Sequence, residues 1–161
     1  MSEVEFIADQ LRRAFAGEAW HGPALSELLE GVDAGAARAR PIASGHSIWE
    51  LVAHIAGWER VVARRLEGEA LALSEDENFG PAGRESEAAW REALETLGSN
   101  HEALMRLVGG LNDARLNDPV PGRDYDVRFM LTGAVQHAAY HGGQIALLKR
   151  AGAGPGGLKS R

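Results

Sequence analysis

An all-α four-helix bundle is the fold this 161-residue sequence predicts, and three observations predict it. Apolar residues recur three and four apart in four long segments. Glycine and proline collect between those segments. No stretch alternates apolar with polar residues as a half-buried strand does, and no repeated period points to a helical array. Abundant alanine and leucine, with only 6% aromatics, lean the same way.

Taken in order, Val4, Ile7, Ala8, Leu11 and Phe15 mark a first helix over 2–16, ended by Gly17. Trp20 to Pro23 reads as a turn, and Pro23 opens a short helix carrying Leu25, Leu28, Leu29 and Val32. Residues 33–46 read as a loop. Ser47 and Glu50 form a capping box, so a long helix runs over 48–66 with Leu51, His54, Ile55, Trp58 and Val62 on its apolar stripe. Residues 67–85 are acidic and carry Gly80, Pro81 and Gly83; they read as a long surface connection with room for one short helix. A third long helix covers 86–109, with Trp90, Leu94, Leu97, Leu104 and Val108 on one face. Residues 112–126, with Pro119, Pro121 and Gly122, form the next loop. Asp126 caps a last helix over 127–150, whose stripe is Met130, Ala134, His137, His141, Ile145 and Leu148, and Gly152 stops it. One domain over 1–151 and a flexible tail over 152–161 are therefore expected.

Composition excludes several function classes. A net charge of −6 and a pI near 5.5 argue against a nucleic-acid partner, which needs a basic face. No apolar run approaches the roughly 20 residues of a membrane span, and MSEVEFIADQLRRAF lacks the apolar core of a signal peptide. Cysteine is absent, which removes disulfides, thiolate ligands and a cysteine nucleophile. A cytoplasmic protein is expected, acting on a small molecule.

The chemistry sits on three histidines. His54, His137 and His141 each interrupt an apolar helical stripe, and a buried imidazole costs free energy unless it finds partners. Residues four apart on a helix share a face, so His137 and His141 can hold one ion. A divalent ion would satisfy all three rings, and its affinity should fall in mild acid as protons compete for them. Gln144 is placed to hold a metal-bound water or an imidazole N–H, and Tyr140 to supply a phenolic donor. His101 reads as a fourth ligand or a substrate-facing base. Glu50 and Glu59, which bracket His54, are assigned to the helix cap and a solvated face, and His21 and His46 to exposed turns. The HExxH protease pattern is absent, because residues 138 and 139 are alanines.

SIWELVAHIAGWE, followed far downstream by GAVQHAAYHGGQIALLK, resembles the DinB/YfiT-like superfamily. AWHGPALSELLEGV and PGRDYDVRFML extend the likeness over nearly the whole chain. The family pattern is a histidine on the second helix and H-x-x-x-H-x-G-Q on the fourth, matched here by His54 and by His137, His141, Gly143 and Gln144. The resemblance implies a bundle that binds zinc, nickel or another divalent ion such as manganese or iron through those three histidines, and a homodimer. It also implies thiol-dependent chemistry, since characterised relatives include bacillithiol transferases and mycothiol-dependent maleylpyruvate isomerase. The expected function is a metal-dependent transferase or isomerase acting on small electrophiles with a low-molecular-weight thiol. The alternatives are a metal-dependent hydrolase and a non-catalytic metal-binding stress-response protein. Apolar open cavity walls near the ion favour an enzyme; a fourth protein ligand favours a structural role.

Overall fold

Side-chain caps start all four long helices. Ser2 accepts from the Glu5 N–H, Ser47 from Glu50, Ser86 from Ala89 and Asp126 from Phe129, each satisfying a donor that the first helical turn leaves free. The helices they open are α1 (Glu3–Ala16), α4 (Ile48–Leu66), α6 (Glu87–Gly109) and α7 (Val127–Gly152). Three single-turn helices lie between them: α2 (Leu25–Leu29), α3 (Ala34–Arg38) and α5 (Glu75–Phe79). The computed structural model describes residues 1–79 and 86–153. Among the described residues there is no strand, only isolated bridges between Ala19 and Gly22 and between Pro119 and Asp126. No described helix is long and apolar enough to cross a membrane.

The long helices pack as a ring, with α4 against α6 and α7, and α1 against the same two. One apolar cluster joins Leu25, Leu29, Trp49, Ile55, Trp90 and Ile145; a second joins Val4, Leu11, Val62, Leu104, Val108 and Leu131. Each fully buried aliphatic side chain contributes about 1.5–3 kcal/mol of transfer free energy. That is what holds helices with few bonds between them. α4 and α7 run antiparallel, since His54 meets His137 near one end and Arg65 meets Tyr125 near the other.

Three details differ from the sequence reading. Residues 33–46 are not all loop: Asp33 accepts from the Ala36 N–H at 2.8 Å and starts α3, whose one turn is too short to show periodicity. The described part of the next connection, 67–79, holds α5, the short helix the sequence left room for, but packs closely on α4 instead of lying out on the surface. Gly57 makes that possible, because a Cβ there would stand 3.2 Å from Leu73 Cδ1. Residues 80–85 of that connection lie outside the described residues. Finally, α7 continues through Gly152 to a C-cap at Ala153, so glycine does not stop it where expected. The rest of the expected tail, 154–161, also lies outside the described residues.

Candidate metal centre

The antiparallel packing of α4 on α7 brings His54 to the pair His137 and His141. One ring nitrogen from each lies within 4.8 Å of the others, and no fourth histidine or carboxylate joins the group among the described residues. The His54 and His137 Nε2 atoms are 2.9 Å apart. The rings are tilted or edge-on to one another, with centroids 4.5–4.9 Å apart.

Hydrogen bonds behind the rings set which nitrogens face inward. The Asn78 carbonyl oxygen can only accept, so His54 Nδ1 donates to it at 3.0 Å and leaves its Nε2 lone pair facing His137. His141 Nδ1 donates to Gln144 Oε1 at 2.7 Å, which likewise frees Nε2. Gln144 thus holds an imidazole N–H, one of the two tasks the sequence suggested. This is how protein groups behind a metal's ligands fix their tautomers. Burial lowers the pKa of all three rings, and the neighbouring histidines add to the effect on His137, taking it to about 3. The rings are therefore neutral at ordinary pH, the form a metal needs. A tetrahedral ion with zinc–nitrogen bonds of about 2.0–2.1 Å holds its ligand atoms roughly 3.3 Å apart. The spacings here bracket that value, so the cluster could hold a divalent ion with small ring movements.

Much of the support comes from a segment that the sequence reading treated as a surface connection. Asn78 binds His54 through its backbone and accepts from Trp58 Nε1 through its side chain, at 3.0 Å. Phe79 stacks on the His54 ring at 4.0 Å, and exposed His46 stacks on the other side of Phe79 at 3.9 Å. No motif marks Asn78 or Phe79 in the sequence; the acidic, breaker-rich context of α5 hides them.

The remaining candidates separate. Tyr140 is exposed, with its ring 5.0 Å from that of His141. His101 is buried away from the three: it stacks on Phe15 at 3.8 Å and its Nδ1 stands 2.9 Å from Glu59 Oε1. Glu50 serves the cap, as expected, donating no proton but accepting from the Ser47 N–H at 2.8 Å. Glu59 does not lie on a solvated face. It is buried, its pKa is raised by desolvation, and its Oε2 has no partner. Its position four before Ala63 and three before Val62, both buried, was the available signal.

A cavity of about 230 Å³ opens between α4 and α7, beside His137. Ile55, Val62, Met130 and Ala134 give it apolar walls, and it lies where the two core clusters meet. Its polar lining comes from Glu59, Arg65, Tyr125 and His137.

The family model of the DinB superfamily matches residues 19–145, which is more than half of the chain and includes all three histidines and Gln144. No curated protein and no solved structure matches the chain.

Proposed function

The chain belongs to the DinB superfamily, and from that membership and the three-histidine cluster we propose a metal-dependent enzyme that transfers a thiol to, or isomerises, a small electrophile. The observation that carries this reading is the pairing of three neutral histidines, with no fourth ligand among the described residues, with an apolar cavity that His137 itself lines. Nitrogen donors suit zinc, nickel and iron, whereas manganese prefers oxygen ligands and fits this donor set least well. A divalent ion held by His54, His137 and His141 supplies Lewis acidity and lowers the pKa of a water or thiol that reaches it.

The chain's own residues supply the rest. Asn78 and Gln144 hold the His54 and His141 rings in the tautomers that face inward. Phe79 stacks on the His54 ring and Trp58 meets it edge-on, which helps hold its plane. Glu59 keeps a proton nearer neutrality than a surface glutamate does, and its unpartnered Oε2 belongs to a cavity residue. It is the group placed to take up or return a proton, with His101 orienting it through Oε1. The absence of cysteine suits a reducing cytoplasm.

Purified protein, stripped with chelator and reloaded with one metal at a time, should be screened with low-molecular-weight thiols against electrophilic small molecules. Turnover that vanishes with chelator, returns with metal and needs the thiol is the expected result. Metal-dependent turnover of esters or amides without thiol would replace this reading with the hydrolase. Stoichiometric metal binding with no turnover of either kind would leave the non-catalytic role.

Self-association belongs to the same proposal. Phe129, Tyr140 and Leu147 are 65%, 66% and 56% exposed, and their spacings of eleven and seven place them on one face of α7. Trp20 is fully exposed, whereas Trp49 and Trp90 are core residues. Light scattering at micromolar concentration should give twice the chain's 17.2 kDa. A monomer mass throughout would rule the homodimer out.

A further inference from the structure

Arg65 is a buried cation without an anion. It is 4% exposed, its Nε donates to the Leu71 carbonyl at 2.9 Å, and its Nη1 donates to Tyr125 Oη at 2.9 Å. Its Nη2 is closed off from water and has no partner. No carboxylate pairs with it among the described residues, and Arg123, another cation, adds to burial in disfavouring its charge. An unpaired buried guanidinium is costly, so such groups are normally matched by a carboxylate or phosphate.

The missing anion has a place to come from. Arg65 and Tyr125 line the same cavity as His137. The guanidinium lies 5.7 Å from the centre of the Trp58 indole, and the His137 ring lies 6.1 Å from the same indole. Both polar ends therefore lie against the same indole, and most of the cavity wall around them is apolar. Glu59 cannot supply the balancing charge: it is committed to His101, and burial favours its neutral form.

We infer that this cavity takes a small organic acid, its carboxylate held by Arg65 and the Tyr125 hydroxyl and its apolar body lying along Ile55, Val62 and Met130 toward His137. The planar guanidinium, with its Nη1–Nη2 edge only half used, fits a flat carboxylate better than a single point charge would. Tyr125 accepts from Arg65, which leaves its own O–H to donate to the ligand. The exposed Phe129 ring, 5.1 Å from that of Tyr125, lines the same cavity. The inference deepens the enzyme reading above and rests on it in taking the histidine end as the reactive one. The acid-binding end needs no metal.

The test is calorimetric titration of chelator-stripped protein with 4-phenylbutyrate, octanoate and the neutral 4-phenylbutanamide. Both acids should bind at least ten times more tightly than the amide. Arg65→Gln should erase that preference, bringing the acids down to the level of the amide, and Arg65→Lys should keep part of it. Gly133→Leu should abolish binding of all three probes; Gly133 lines the cavity and a Cβ there meets nothing within 4 Å, so this variant is expected to fold even if Arg65→Gln does not. Equal binding of acid and amide by the wild type, an acid preference that survives Arg65→Gln, or acid binding that survives Gly133→Leu would each overturn the inference. Metal binding without acid binding sinks this inference alone; acid binding in a protein that takes no metal sinks the enzyme reading alone.

Discussion

Replacing any one of His54, His137 or His141 by alanine is expected to weaken divalent-metal binding by at least about 100-fold, since losing even a group that supports a ligand costs about 10–100-fold. The measurement is titration of chelator-stripped protein with zinc, nickel and manganese, wild type beside the three variants. Two rings that remain after a deletion still lie on the same helical face or across the α4–α7 contact, so weak residual binding is expected rather than none. The pH dependence follows from the direction of the pKa shifts. A cluster of ordinary imidazoles begins to lose its metal near pH 6.5, where protons start to compete. Here burial lowers all three pKa values, that of His137 to about 3, so the loss of affinity should move to lower pH. The same shift acts on metal-free stability. Between about pH 3 and 6.5 the unfolded chain binds more protons at His137 than the folded one, so stability falls as pH falls through that window. Equal and weak binding by wild type and variants would discard the site and the enzyme reading with it.

The largest loss of stability is expected from Trp90→Ala. Trp90 is 1% exposed, its indole packs 5.1 Å from that of Trp49, and its Nε1 donates to the Val32 carbonyl at 2.7 Å. Removing a buried aromatic costs about 3–5 kcal/mol, and here the Val32 carbonyl loses its partner as well. At roughly 2–4 °C per kcal/mol for a domain of this size, the melting temperature should drop by about 10 °C or more. Thermal and urea unfolding followed by circular dichroism will read it, and a loss under about 1 kcal/mol would contradict the packing described for α6. Trp90→Phe, which keeps a ring but not the donor, separates the two contributions.

What the sequence made legible was periodic, and what it hid was tertiary. The four long helices announce themselves because Ser47, Asp126 and the apolar stripes state start and face locally. His54, His137 and His141 stand out because each breaks a stripe. Gln144 was legible because its partner lies three residues away on the same helix. Glu59 and His101 were not, since their pairing depends on how α4 sits on α6, and a charged residue at a helix edge reads as solvated until a neighbour covers it. Arg65 and Tyr125 are 60 residues apart and meet only through the α4–α7 register. Asn78 contributes a backbone carbonyl, which no side-chain pattern can encode.

His54 and His137 are 83 residues apart in the chain. An ion shared between them would therefore act as a removable cross-link in a protein that has no cysteine to form a permanent one. A covalent bridge closing a loop of this length would restrict the unfolded chain by about 4–5 kcal/mol. A coordinate link gains less, because unfolded histidines also bind metal, but its gain rises with the logarithm of the free-ion concentration. Metal supply would then set the lifetime of the folded chain as well as its chemistry, and a cell that withdrew the ion would be left with a looser and shorter-lived protein.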